Sequence, residues 1–285
     1  MSGRAGLVLL LILSPACAQP AVWGLNYDHD RSGRLLEDYW LEEWDTVVED
    51  FQEMKALGAN LVRIHLQLEK FMQTAEQADP AALAQLARLV RLAEDTGLRL
   101  NLTGLGCYHK QAVPPWYDAL SEDGRWRVQA RFWEHLAATC AGSPALYCYD
   151  LMNEPVLPDA RRKETEWLVG EGFAGKYFVQ RIALDLAGRT REQVARAWVD
   201  TLVAAIRKHD SRTRITVGEI PWAFVFPGAN PLFSAPEVGG RLDLVSVHFY
   251  PRAGEVGQAL TALEVYRSEK PLIVEEMFPL ECSIE

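Results

Sequence analysis

Two rhythms of apolar and polar residues take turns along this chain. Short apolar runs read as strands: Ala21 to Tyr27, Ala59 to Leu66, Leu98 to Leu105, Leu146 to Tyr149, Arg214 to Ile220, Leu242 to Phe249 and Pro271 to Val274. Between them lie segments with apolar residues at helical spacing. Trp40 to Leu57 carries Trp44, Val47, Phe51 and Met54 on one stripe and stops at Gly58, a natural helix C-cap. Asp79-Pro80 supplies an N-cap and a first-turn proline to a helix that runs to Thr96 and is stopped by Gly97. Trp126 to Cys140, Arg191 to His209 and Gln258 to Ser268 complete the helices. No internal repeat, low-complexity tract or linker is evident.

Strand and helix alternating in this way, with short helix-to-strand turns, predict an α/β fold: a (β/α)8 TIM barrel spanning residues 19–285. Seven strands are readable, and the chain stops nine residues after Glu276 (285 − 276). The expectation is therefore a barrel truncated before or within its eighth strand. A doubly wound open sheet is the alternative, but Tyr27-Asp28-His29-Asp30 is not the Gly-rich phosphate loop that such sheets carry after their first strand. The segment Val156 to Arg189 is long, polar and Gly-containing, as functional insertions are.

Composition changes the picture in three places. A formal net charge of −10 argues against nucleic acid or an anionic membrane as the main partner. Residues 1–18 read as a secretory signal: Arg4, an apolar run from Gly6 to Leu13 too short for a stable anchor, then Ala16-Cys17-Ala18 as a small-x-small cleavage site. The expected location is secreted or periplasmic, with no integral membrane segment after cleavage; a lipoprotein anchored at Cys17 is the alternative. Cys107, Cys140, Cys148 and Cys282 then remain, and export permits disulfides. Cys140 and Cys148 are the pair closest in sequence, a spacing that does not establish a bridge. No metal-type cluster of Cys and His is present.

The chemistry lies at the strands' carboxyl ends, where barrels keep their active sites. Strand two offers Arg63 and His65, strand four Asn153 and Glu154, strand six His248 and Tyr250, and strand seven Glu275 and Glu276. Pro155 cannot extend a strand ladder and restricts Glu154 to an extended backbone, so the acid stands where the chain leaves the sheet. Two carboxylates from well-separated strands, ringed by Arg, His, Asn and Tyr, form a glycosidase constellation: one acid protonates a leaving oxygen while the other attacks the anomeric carbon.

On LVRIHL, LMNEP, VSVHFYP and KPLIVEEM the chain resembles the clan A glycoside hydrolases, most closely family 5, the cellulase and mannanase family. The resemblance runs from the second strand to the seventh. It implies Glu154 as general acid/base and Glu276 as nucleophile of a retaining mechanism. It also implies Asn153 on the sugar's 2-hydroxyl, Arg63 as support for the nucleophile, and His248 and Tyr250 lining the cleaved sugar's site. Many members carry a His at the end of strand three, where this chain has Thr103-Gly104, and His109 is the candidate substitute. Trp222, Trp116 and Tyr27 are candidate stacking platforms, and the sequon at Asn101 falls in a central strand. The chemistry requires no metal or organic cofactor.

Glu275 and Glu276 are neighbours, and side chains alternate along a strand, so one of the two is expected to face the barrel mouth. Both sides of Pro271 to Val274 are apolar, as in a strand buried on both faces, and periodicity does not choose. The family pattern does, because Met277 fits the bulky residue that follows the nucleophile. The expected function is an exported retaining β-glycosidase acting on β-glucan or β-mannan, endo in action. An exo-acting β-glucosidase or β-mannosidase, with the long insertion walling off the cleft, and a non-catalytic carbohydrate-binding barrel are the alternatives.

Overall fold

A computed structural model describes residues 22–277 apart from 29, 227 and 228. The signal segment, Cys17 and Cys282 lie outside the described residues. Seven parallel strands follow one another in sequence order around the sheet: β1 (Gly24–Tyr27), β2 (Leu61–Gln67), β3 (Arg99–Gly106), β4 (Leu146–Asn153), β5 (Arg214–Glu219), β6 (Val245–His248) and β7 (Leu272–Glu276). Strand n pairing with strand n + 1 throughout is the topology of a (β/α)8 barrel. Between the outermost strands, Asn26 Nδ2 donates to the Glu275 carbonyl at 3.0 Å.

Among the described residues, five longer helices pack outside the sheet: α1 (Trp44–Ala56), α2 (Pro80–Thr96), α3 (Glu122–Cys140), α4 (Arg191–Arg207) and α5 (Val256–Val265). Their ends follow the sequence signals. Asp79 accepts from the amides of Ala81 and Ala82, and Gly97 closes α2 in the left-handed conformation at φ +67°. Thr190 and Gln193 form a reciprocal capping box on α4. The polar run after Tyr149 belongs to β4, which continues to Asn153, and β7 takes in both glutamates.

The strands are two-faced. Val62, Ile64, Leu66, Leu100, Leu102, Tyr149, Leu151, Ile215 and Val217 turn outward into one apolar core with the helices, and Val245 and Val247 into a second. Each such side chain contributes about 1.5–3 kcal/mol by leaving water. The alternate positions, Arg63, His65, Asn101, Thr103, Asp150, Thr216, Ser246 and His248, are also buried but face the barrel's interior. The lumen is therefore polar along β2 to β6, whereas the strand at Pro271 to Val274 was expected to be apolar on both sides.

The Val156 to Arg189 segment is more ordered than a loop. Val179–Arg181 pairs parallel with Pro155–Val156 and antiparallel with Leu168–Val169. The chain enters this small sheet through Glu154, whose φ of +47° is left-handed rather than extended. The Glu154 amide donates to the Gly218 carbonyl at 3.0 Å, and holding that bond while turning toward Pro155 overrides the pre-proline preference.

Cys107, Cys140 and Cys148 are free, buried thiols. Cys140 lies in the outer apolar core at the end of α3, while Cys148 shares the lumen with Glu275 and Asp150. Sheet separates that pair, so their closeness in sequence does not make a bridge. Among the described residues, no helix is long and apolar enough to cross a membrane.

Candidate active site

The interior positions of β1 to β7 converge on Arg63. Its Nη1 donates to Glu276 Oε1 and, at 3.3 Å, to Asn26 Oδ1. Its Nη2 donates at 2.9 Å both to Asp150 Oδ2 and to Asn153 Oδ1. The planar guanidinium thus ties strands one, two, four and seven together across the lumen. Removing one partner from a buried pair of this kind costs about 3–5 kcal/mol, because the other charge is stranded.

Glu276 is also the acceptor of the Tyr250 hydroxyl. Burial alone would raise its pKa, but the charges of His248 and Arg63 outweigh that and hold the carboxyl well below the ordinary range. Glu276 is thus kept ionised and is 12% exposed on its side chain, open toward the mouth. Opposite it, Glu154 Oε1 lies 2.9 Å from His248 Nδ1, which is itself 3.6 Å from Glu276 Oε2. One oxygen each of Glu154 and Glu276 and a ring nitrogen of His248 all fall within 4.8 Å of one another.

His248 is therefore a hinge of charge between the two acids. Burial would lower its pKa, yet the Glu276 charge, the bond toward Glu154 and the nearby Glu275 carboxylate raise it to about 10. The same three side chains have the spacing of a three-ligand metal site. A ring kept protonated by flanking carboxylates has no lone pair to offer a metal, so the donor set suits proton chemistry better.

Beneath this layer lies a second one, in which the sequence reading singled out Glu275 but not Asp150. Asp150 accepts from Gly218 N at 2.7 Å, Thr103 Oγ1 at 2.8 Å and Arg63. Burial and the nearby Glu275 raise its pKa to about 6 against the pull of Arg63. Glu275 accepts from Asn101 Nδ2 at 2.6 Å. Its other oxygen stands 3.8 Å from His248 Nε2 and 3.9 Å from Arg63 Nε, distances of charge contact rather than hydrogen bonding. Both neighbouring glutamates reach the interior because β7 is bulged: Val274 pairs with Val247 and Glu276 with His248, leaving Glu275 as the extra residue.

The remaining candidates are dispersed. His109 stands at the N-cap position of the turn Lys110–Ala112, within electrostatic reach of Asp38. The imidazole next to the cluster is His65, whose Nδ1 is 2.6 Å from the buried Tyr108 hydroxyl and 3.7 Å from Asp28. Burial and the Arg63 charge lower its pKa to about 4, so it works as a neutral ring. Asn153 Nδ2 donates to the Phe178 carbonyl at 2.9 Å. Tyr27 is bound to Asp50 of α1 at 2.5 Å and packs against Phe51, and Trp116 packs edge-on to Tyr117. Trp222 stacks on Phe226 and lines a cavity of about 1210 Å³ beside the Glu154 turn.

A family model described as Cellulase (glycosyl hydrolase family 5) matches residues 26–272. The chain belongs to glycosyl hydrolase family 5. Solved structures of similar fold include the exo-beta-1,4-mannosidase Op5Man5 from Opitutaceae bacterium strain TAV5, at 17% identity and TM-score 0.64, covering 89% of this chain and 45% of that one. The beta-1,4-mannanase of the sea hare Aplysia kurodai aligns at 15% identity and TM-score 0.61 over 90% and 77% of the two chains. A family 5 protein of Streptomyces cattleya, solved with Manb1-4GlcNAc, aligns at 17% identity and TM-score 0.55 over 79% and 51%. Several of these solved chains are about twice as long as the part this family 5 chain matches. Among curated proteins no match is found.

Proposed function

We propose that this family 5 chain hydrolyses β-mannosidic or β-glucosidic bonds with retention of configuration, by way of a covalent glycosyl-enzyme. The observation that carries the reading is the approach of Glu154 and Glu276, within 4.8 Å through their nearest oxygens. Retaining glycosidases hold their two carboxyl groups about 5–5.5 Å apart, whereas inverting ones leave about 6.5–9.5 Å for a water.

Glu276, ionised and aligned by Arg63 and Tyr250, attacks the anomeric carbon. Glu154 gives a proton to the departing oxygen, and the protonated His248, its Nδ1 2.9 Å away, hydrogen-bonds the carboxylate that is left. Once the leaving group has gone, Glu154 takes a proton from water, which attacks the anomeric carbon and frees Glu276. Arg63 and Tyr250 are groups whose bonds to Glu276 must loosen as its charge is spent, and they restore it afterwards. The mannoside preference rests on the mannosidase and mannanase among the similar structures. Export through the residue 1–18 signal, to the medium or the periplasm, is part of the same proposal.

Early-time proton NMR of the sugar released from an aryl β-mannoside or β-glucoside tests it. The β anomer is expected first. First appearance of the α anomer would mean inversion, and absence of turnover on every aryl β-glycoside would end the hydrolase reading.

A further inference from the structure

Under the two acids the lumen carries more polar atoms than its own side chains satisfy. Arg63 Nε, Asn101 Oδ1, Ser246 Oγ, His248 Nε2 and Glu275 Oε2 are buried, and none has a hydrogen-bond partner among the described residues. They belong to β2, β3, β6 and β7 and face the same interior. Buried polar groups are costly to leave unsatisfied, so several in one place call for a shared partner.

Glu275 Oε2 is the centre of the group. It stands 3.8 Å from His248 Nε2 and 3.9 Å from Arg63 Nε. Both distances are too long for a direct hydrogen bond and short enough for one small molecule to touch all three atoms. The other ends of these side chains are already committed. Glu275 Oε1 accepts from Asn101 Nδ2 at 2.6 Å, and His248 Nδ1 lies 2.9 Å from Glu154 Oε1. Arg63 spends Nη1 on Glu276 and Asn26, and Nη2 on Asp150 and Asn153. Each residue thus turns a working end to the catalytic layer and an unused end to one point behind it.

The chemistry of the unused ends selects the occupant. Arg63 Nε–H and the Nε2–H of the protonated His248 are donors, while Glu275 Oε2 and Asn101 Oδ1 are acceptors. Against burial, His248, Arg63 and Ser246 hold the Glu275 carboxyl below its ordinary range, so it stays ionised. A cation would be repelled by the guanidinium and imidazolium, and an anion by this carboxylate. A neutral molecule that both accepts and donates suits the two halves, and water is the smallest. Room is present, since Arg63, Asn101 and Glu275 line a cavity of about 400 Å³ that lies along β1 and β7. A water's share of liquid volume is only about 30 Å³, and about three polar partners are usual for a buried one.

We infer that a water molecule is built into the lumen here, accepting from Arg63 Nε and His248 Nε2 and donating to Glu275 Oε2. Asn101 Oδ1 and Ser246 Oγ are the acceptors available to its second hydrogen. Through this water Glu275 is a positioning residue: it holds His248 from behind, so that Nδ1 is presented to Glu154. The positioning role rests on the glycosidase reading above and deepens it; the water site does not depend on that reading.

A high-resolution crystal structure of the full chain tests the site. Density for one water within hydrogen-bond distance of Arg63 Nε, His248 Nε2 and Glu275 Oε2 is expected. Glu275 Oε2 in direct contact with either nitrogen, with no water between, overturns it. In solution, water-selective NMR should show Arg63 Nε–H and His248 Nε2–H both cross-relaxing with bound water, and cross-relaxation at neither also overturns it. Both measurements use the wild type and need no variant to fold. For the positioning role, E275Q keeps a polar end for the water and E275M does not. On an aryl β-glycoside E275M should have a kcat about tenfold below that of E275Q with a similar KM, the size of one lost hydrogen bond. Equal kcat in the two variants overturns the role. No turnover by the wild type ends the hydrolase reading and the positioning role with it, and leaves the water site to the crystal structure.

Discussion

Gly218 and His248 are packed so closely that a Cβ on residue 218 would stand 2.8 Å from His248 Nε2. The same Cβ would lie 3.0 Å from Asp150 Oδ2, while the Gly218 amide is what Asp150 Oδ1 accepts. His248 is fully buried and has nowhere to retreat. Its position relative to Glu154 is therefore set from behind, by the absence of a side chain on β5.

G218A should displace His248 and loosen its approach to Glu154. Overpacking of this kind costs about 1–3 kcal/mol in stability. A misplacement near 1 Å costs on the order of 10²-fold in rate. Melting temperature and kcat/KM on an aryl glycoside check both; wild-type kinetics would show that the imidazole's position does not matter.

E154A should lose most on substrates with poor leaving groups, which need the proton, and least on acidic aryl leaving groups. The span expected for general acid help is about 10²–10⁴-fold. Added azide should restore turnover and give a β-glycosyl azide. Equal loss on all substrates with no response to azide would remove Glu154 from the role.

E276A should abolish hydrolysis and, with azide, yield the inverted α-glycosyl azide. A 2-fluoro glycoside should label the peptide at Glu276. Label on Glu275 would reverse the assignment, a live comparison now that the bulge brings both side chains inside.

E275Q should keep turnover but change its pH profile. Removing an anion 3.8 Å from His248 Nε2 makes proton loss easier for the groups around it. The alkaline limb of kcat/KM should move to lower pH, by about one unit. A superimposable profile with a lowered melting temperature would mean that Glu275 is structural alone.

Stability should fall as pH rises from 5 to 9. Burial raises Glu37 to about 8 and Glu69 to about 7 from the ordinary 4.5. A raised folded pKa means stability fully present below the unfolded value and lost as pH climbs through the folded one. Asp150, raised to about 6, and His248, raised to about 10, act in the same direction at the two ends of that window. Glu37 Oε1 accepts from the Gln67 amide at 2.7 Å, a bond that glutamine can keep. E37Q should therefore flatten the curve of Tm against pH; a slope parallel to wild type would contradict the assignment.

Much of this was written in the chain in readable form. Helix caps at Asp79 and Gly97 and the place of Arg63 on the second strand followed from local chemistry. So did a lumen that was there to be read: Val62-Arg63-Ile64-His65-Leu66, Leu100-Asn101-Leu102-Thr103 and Val245-Ser246-Val247-His248 alternate strictly. That signal would have found Asn101, Thr103 and, beside Tyr149 and Leu151, Asp150. What stayed hidden depends on register between distant strands. The β7 bulge is created by pairing with β6, and the left-handed turn at Glu154 by a bond to Gly218. His109 was chosen by nearness in sequence to the end of β3. The ring that comes close does so from β2, two residues beyond Arg63 on the same face.

The two-faced strands also separate the ways in which this barrel can fail. A substitution at Ile64, Leu102 or Val217 strikes the shell that keeps the chain folded. One residue away, a substitution at Thr103 or Ser246 strikes the lumen, where the protein can survive in quantity while turning over little. In a saturation scan scored once for abundance and once for turnover per molecule, the two sensitivity traces along β2 to β6 would each repeat every second residue, and they would run out of phase. Drift that preserves abundance is then free to rewrite the lumen, and with it the chemistry, without first solving the folding problem again.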